Sequence, residues 1–477
     1  MQAMNKFTLY IILFLSAAGA SQTRCDCNKV ISFIQKNIEE NSASYQHQVI
    51  EKKRFKEYTA FKNEIDSISL VLTTEKECVG LASYYLSFIK DSHQWIKLTN
   101  EYYPFEVFTD SVAVKQFIAE NVENLPLRDI SELKNDIEGK WYYEHGMLEI
   151  QIQSNKEKGR EYVGLISKPI QYYAKIGDLK LDFYRRKNQL YAVFWDFGQK
   201  PKTYPVQLDK GVLKIGREYN FVRNQKDISE ADRFKLDDKT YFEEMTDKTN
   251  YLKIHSFGYD EKFKIDSILK ANHQIIISKE NLIIDLRNNS GGSDFSYHPI
   301  LPYIMDEIRY KKPIKSSLWV SKDNYENLDR EKYQYGVNTK KDSIKAEHRM
   351  KKLKENIGKF ETSNFIKVKM HARYKLPGKV YIITNKNNAS SAEGFILTAK
   401  QSSKVKIVGE YTAGVMSYGD WRKLEIPDFP AWISITQKKM SFYDSIDFET
   451  IGLKPDVILD QEDQSNWKNL TLNLIEQ

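Results

Sequence analysis

Three segments end apolar, strand-like runs in small and polar residues of the kinds that can attack or hold a carbonyl group: NLIIDLRNNSGGSDF, KVYIITNKNNASSAEGF and VKIVGEYTAGVMSYGDW. In the second, Ser390 falls where a strand should hand over to a helix, a place where unpaired backbone N–H groups and the helix dipole favour negative charge. Ser390 and Glu393 also have the spacing of a capping box, followed by the helical apolar set Phe395, Ile396 and Ala399. Capping a helix and carrying a nucleophilic hydroxyl do not exclude each other. In the first segment, Gly291 and Gly292 can take backbone conformations closed to other residues and turn their N–H groups together toward an anion. A serine hydroxyl beside such amides suits acyl transfer, with the developing oxyanion held at about 3 kcal/mol per donor. The third segment adds a glycine-bearing turn.

Positioning these pieces requires strands whose carboxyl ends meet, and the chain supplies them. From about residue 232 strand and helix patterns alternate, and the strands read as buried apolar runs, so the region 232–477 is expected to be α/β with a largely parallel sheet. It is interrupted at about 314–370 by a lysine-rich, charged helical insertion, which reads either as a flap or as solvated surface decoration. Residues 139–231 change to period two (MLEIQIQ, LKLDFY, LYAVFWDF, VLKIG) with polar turns between, the pattern of a small antiparallel β module. Its many aromatic side chains fill a β core or line a pocket. Residues 21–138 space their apolar positions at three and four, which predicts a helical N-terminal region.

Composition narrows the partners. The chain has 477 residues, 41% hydrophobic and 29% charged, ordinary for two or three globular domains. Its formal charge of +7 becomes +6 once residues 1–20, which carry only Lys6, are set aside, and the basic clusters are interleaved with acids. Nothing there calls for nucleic acid. Lys6, the apolar run from Phe7 to Leu15 and Ala18-Gly19-Ala20 form a signal-peptide pattern over residues 1–20. No later stretch is apolar enough to span a bilayer. An exported chain with three cysteines, Cys25, Cys27 and Cys78, should hold one disulfide and one odd thiol; Cys27 or Cys25 can pair with Cys78, and we take Cys27. Neither C-x-x-C nor H-E-x-x-H occurs and the eight histidines are scattered, so no metal or other cofactor is called for.

Taken together, DLRNNSGG, NASSAEGF, IVGEYTAG and GLKPDV resemble, in order, four motifs of the tail-specific, or C-terminal processing, serine peptidases. The N-terminal FIKDSH is similar to that family's short D-x-H segment. The resemblance covers roughly residues 249–460 and implies a crotonase-like α/β core, with Ser390 as nucleophile and the backbone N–H groups of Ser391 and of Gly291 or Gly292 as oxyanion donors. Asp285, Arg287 and Glu393 are then structural, bracing loops or orienting. Many members carry a PDZ module; here the β module stands in its place without a Gly-rich carboxylate loop, so the chain looks nearer the tricorn-core and retinoid-binding-protein-like branch.

The base departs from the family pattern. Where the processing peptidases have a lysine after the T-x-G turn, this chain has Val415, which cannot accept a proton. In YLKIHSF the period of two puts Lys253 and His255 on one face of the first core strand. An imidazole, with an intrinsic pKa of about 6.5, suits the role of base. Lysine would need strong desolvation but matches the register of the tricorn-like histidine more closely. Both stay open, with His255 preferred. The resemblance implies an exported peptidase, periplasmic in a Gram-negative cell and otherwise secreted, that acts on peptides or unfolded exported polypeptides. The alternative is an inactive peptide- or ligand-binding protein on the same fold.

Overall fold

The computed structural model describes residues 25–99, 110–133, 135–143, 146–224, 239–332, 339–442, 449, 451–459 and 461–477. The signal-peptide pattern at 1–20 lies outside the described residues. Three longer helices, Cys27–Asn41, Phe55–Ser69 and Glu75–Leu86, dominate the start of the described chain, with short helical pieces Ala43–Tyr45 and Gln46–Glu51 between the first two. Asp26 caps the first by accepting from the Lys29 N–H, and Thr74 with Glu77 forms a reciprocal capping box on the third. Their apolar stripes, including Ile31, Ile34, Phe61, Ile65, Leu81 and Tyr85, merge with Tyr184, Val193 and Trp195 of the β module and with Ala431, Ile433 and Ile435 of a distant strand. The N-terminal region is therefore the packing that joins the β module to the rest. It also contributes a strand, Ile96–Leu98, which pairs antiparallel with Ala431–Phe442.

The period-two segment closes into an eight-stranded antiparallel barrel running from Gly139–Tyr143 to Tyr219–Val222, with its last strand bonded to its first at Tyr142 and Tyr143. Closure removes every exposed edge. Its interior is packed with Trp141, Ile150, Phe183, Leu213 and Phe221, all fully buried; the aromatic residues here make a core.

The α/β region is built on a six-stranded sheet ordered Tyr241–Glu244, Thr249–Lys253, Asn281–Asp285, Lys379–Thr384, Val405–Gly409 and Val457–Ile458. The first strand is antiparallel and the other pairings are parallel. Alternation divides the sheet's residues between two cores. Leu252, Ile254, Leu282, Ile284 and Ile382 pack with Ala392, Phe395 and Ile396 of the Ser391–Ala399 helix. Tyr251, Ile283, Tyr381, Ile383 and Val408 pack with Trp467 and Ile475 of the C-terminal helix, Trp467–Glu476.

The charged insertion is more firmly seated than its composition suggests. Two of its strands, Ile314–Trp319 and Phe360–Thr362, join a second sheet that also holds Tyr418–Glu425 and Ala431–Phe442, and its last, Lys367–Lys369, pairs with Arg309–Lys311. Its helices Lys322–Glu331 and Lys340–Glu355 accompany a small core of Leu318, Val320, Met350 and Leu353. Trp319 and Asn324 donate hydrogen bonds to the carbonyls of Glu40 and Asn41.

Candidate active site

Ser390 stands at the junction between the Lys379–Thr384 strand and the Ser391–Ala399 helix with φ 55° and ψ −123°. A non-glycine residue held in such a conformation costs about 1–3 kcal/mol and persists where its surroundings impose it. Here the surroundings are Glu393 and the loop before the serine. Ser390 N–H donates to Val415 O (3.2 Å) and to Glu393 Oε2 (3.2 Å). The same buried carboxylate receives Thr412 Oγ1 (2.5 Å), Gly414 N–H (2.8 Å) and Val415 N–H (2.9 Å). Burial pushes the Glu393 carboxyl up, against these four donors. Glu393 thus fastens the 412–415 turn to the start of the helix. Asn388 fastens the other side, its amide donating to the carbonyls of Leu286 (2.5 Å) and Asn289 (3.1 Å) in the glycine loop.

The two loop glycines have different jobs. Gly291 has φ 98°, and a side chain on it would meet Ala389 O at 2.6 Å and Ser390 Cβ at 3.0 Å, so only glycine lets this backbone lie against the serine. Its own N–H is spent on Asn289 Oδ1 (2.9 Å). Gly292 has φ 141° and lies against the backbone of Phe257, while its carbonyl accepts from Ser391 Oγ (2.9 Å). Among the described residues, the N–H groups of Gly292 and Ser391 have no hydrogen-bond acceptor. Of the two glycines, it is therefore Gly292 whose N–H is left open among the described residues, as is that of Ser391.

Lys253 is not at this site. Its strand register sets it directly opposite Asp285, on the face covered by the C-terminal helix, and its side chain is 2% exposed. The ammonium donates to the Arg287 carbonyl (2.7 Å) and contacts Asp285 Oδ1 (3.4 Å). Asp285 also accepts from Tyr251 OH (2.7 Å) and from Arg287 Nη2 (2.6 Å). Burial would raise the Asp285 carboxyl, but Lys253 and Arg287 outweigh it and hold the group down at about 2. Arg287 also donates to the carbonyl of Gln464, just before the C-terminal helix. Lys253 is committed as a cation in an ion cluster, which removes it as a candidate base. Asp285 and Arg287 brace the sheet and the strand end.

His255 is misplaced by the same alternation. Ile254 continues the ladder by donating to Asp285 O (3.0 Å) and enters the core beneath the Ser391–Ala399 helix. That leaves His255, with Lys253, turned to the opposite face. Its backbone N–H reaches Thr240 Oγ1 (3.3 Å) at the antiparallel edge of the sheet.

A different histidine approaches from the N-terminal region. The segment 91–95 lies on the Ala431–Phe442 strand: Ser434 Oγ donates to His93 O (2.7 Å), Trp95 N–H donates to Ser434 Oγ (2.8 Å), and Thr436 Oγ1 donates to Asp91 Oδ2 (2.6 Å). Glu449 ties this segment to the turn beside the serine. Its carboxylate accepts the N–H groups of Ser92 (3.4 Å), Met416 (3.2 Å) and Ser417 (2.8 Å), directly after the residue whose carbonyl takes the Ser390 N–H. Burial, reinforced by the charge of Asp91, pushes Glu449 up to about 7. Asp91 accepts the His93 backbone N–H (2.8 Å), and burial raises it too. His93 is half-buried, and its Nδ1 is buried with no hydrogen-bond partner among the described residues. The D-x-H segment was visible in the sequence, but nothing local showed that a residue about 300 positions before Ser390 folds onto the same turn. Glu449 carried no sequence signal.

Cys27 and Cys78 form a disulfide, and Cys25 is free, its thiol pushed up to about 11 by burial and by Glu75 and Glu77. Among the described residues no group of side chains could hold a metal ion, and no helix is long and apolar enough to cross a membrane.

Residues 248–459 match the model of peptidase family S41, which bears out the resemblance to the tail-specific serine peptidases. Among curated proteins no match is found. Two solved structures share the fold along nearly the whole chain. A structure of mature CPAF complexed with lactacystin has 13% identity and a TM-score of 0.51, covering 95% of this chain and 98% of that one. A crystal structure of mature CPAF has 14% identity and a TM-score of 0.50, covering 94% and 98%.

Proposed function

We propose that this chain, whose α/β region carries the peptidase family S41 pattern, is an exported serine peptidase with a crotonase-like core, acting on peptides or unfolded exported polypeptides through an acyl-enzyme on Ser390. The N-terminal helices and the β module, residues 21–138 and 139–231, are its two accessory regions. In this reading Ser390 Oγ attacks the carbonyl carbon of the scissile bond while an imidazole takes its proton. His93 is the base, with Asp91 and Glu449 as the groups that position it. The oxygen that becomes negative is held by the N–H groups of Gly292 and Ser391. Collapse expels the amine with the proton returned from His93. Water, deprotonated by His93, then attacks the ester carbon, and collapse releases the acid while His93 returns the proton to Ser390 Oγ.

One observation carries the reading. A strained serine at a strand-to-helix turn, φ 55°, lies against a glycine loop beside two amides that have no acceptor among the described residues. The same combination, a sharp turn with the nucleophile exposed above free amides, is how other hydrolases present a serine. Val415, at the family's lysine position, favours the rival reading of a binding protein without chemistry. A fluorophosphonate probe separates the two. The hydrolase reading expects one adduct on wild type, mapped by mass spectrometry to Ser390 and lost in Ser390→Ala. A folded wild type that binds peptide but stays unlabelled would establish the rival.

A further inference from the structure

The segment that carries His93 ends in an aromatic platform. Trp421 and Trp432 come from two strands of the second sheet and Trp95 immediately precedes a third, Ile96–Leu98, and register puts all three on the face that also bears Ser434 and Thr436. Their rings converge beside the small, buried Ser434. Trp95 meets Trp432 edge-on at 4.6 Å and Trp421 at 5.3 Å, and Trp421 stacks on Trp432 at 6.0 Å. Trp95 and Trp432 are half-buried by this packing, but Trp421 remains 44% exposed. The Lys423 ammonium lies 5.2 Å over the Trp432 ring and pairs with Glu425 at 2.6 Å, so the rim of the patch is polar.

Bracing the His93 segment explains Trp95 and Trp432. It does not explain an indole left open to solvent at the end of the stack. Trp421 belongs to the strand Tyr418–Glu425, which begins immediately after Ser417, one of the residues bonded to Glu449. Among the described residues that strand pairs only with Ala431–Phe442, so its other edge is unpaired. An extended peptide can add to such an edge through main-chain hydrogen bonds while alternate side chains find pockets. Along the chain Trp421 is four residues from Ser417 and six from Val415, whose carbonyl takes the Ser390 N–H.

We infer that Trp421, supported by Trp95 and Trp432, is a specificity subsite that takes an aromatic or large apolar side chain of an extended peptide substrate lying along the strand that leaves the turn beside Ser390. This rests on the reading of Ser390 and His93 as the reacting pair. An indole face offers a flat, weakly hydrated surface and an edge-to-face partner for a second ring, which small or charged side chains cannot use.

Binding to the Ser390→Ala chain tests the subsite without requiring hydrolysis. The ligands are fluorescein-labelled, end-blocked ten-residue Gly/Ser/Thr peptides, with either one phenylalanine or one serine at a central position, and anisotropy is the readout. The expected result is affinity about tenfold or more higher for the phenylalanine peptide. That preference should fall to about twofold or less when Trp421→Ala is added, and return in part with Trp421→Phe. An unchanged preference in Trp421→Ala, equal binding of both peptides by the parent, or no binding of either would overturn the subsite. If the serine probe never labels wild type but the preference tracks Trp421, the subsite stands and the hydrolase reading falls.

Discussion

The two faces of the core sheet carry opposite kinds of polarity. On the face under the C-terminal helix, Lys253, Asp285, Arg287 and Tyr251 form a buried cluster, and the bonds among them hold Asp285 ionised down to about 2. On the other face, at the start of the Ser391–Ala399 helix, the groups are incompletely matched. Among the described residues the Gly292 and Ser391 amides lack acceptors there, and along the segment tied to the neighbouring turn His93 Nδ1 has no hydrogen-bond partner and Glu449 is raised to about 7. Charge alone marks neither face as reactive. A saturated ion cluster stabilises one arrangement, whereas donors and acceptors left open beside a strained serine are available to a substrate.

The largest expected effect comes from merging the two loops. Gly292→Ala would drive a Cβ to 2.3 Å from the Phe257 backbone. It should cost about 3–5 kcal/mol of stability in urea unfolding and reduce labelling of the folded fraction by about 100-fold or more. Next is the saturated face. Asp285→Asn leaves Lys253 and Arg287 without their shared counter-ion and should destabilise by about 3–5 kcal/mol. The folded molecules should nevertheless acylate within about threefold of wild type, and a larger rate loss would erase the distinction between the faces.

Glu449 sharpens the comparison through pH. Its folded value of about 7 lies above the ordinary carboxyl value of 4.5, so the folded state holds a proton that the unfolded chain releases. Its contribution is complete below about pH 4.5 and is lost as pH rises through 7, a difference of at most about 3 kcal/mol. Glutamine mimics the protonated form. Glu449→Gln should therefore gain on wild type between pH 4 and 8 in paired urea titrations, and a constant offset would refute the raised value. The smallest effect is expected at His255. His255→Ala should move stability by about 0.5 kcal/mol or less and acylation by about threefold or less.

The serine junction was legible because everything that defines it is local. A strand, a polar loop, Ser390 and Glu393 lie within one stretch, and the loop glycines announce unusual backbone by their identity. The apolar alternation of the core strands was equally readable. Period two also foretold an antiparallel module at 139, although closure depends on Tyr142 and Tyr143 finding the last strand some 80 residues later, and no local pattern encodes that. The placement of Lys253 and His255 was not legible for a related reason. Alternation correctly put Lys253 and His255 on one face, but which face met the serine helix depended on where that helix and the C-terminal helix docked. Lys253 found Asp285 across a parallel register. The His93 segment is held by Glu449 and the Ala431–Phe442 strand, contacts that span more than 300 residues.

The rate of fluorophosphonate labelling at pH 7, measured for His93→Ala beside wild type with matched thermal melts, tests the central claim most directly. Labelling at Ser390 is predicted to slow by about 100-fold or more while the melting profile is kept. Labelling at the wild-type rate would mean that His93 is not the base.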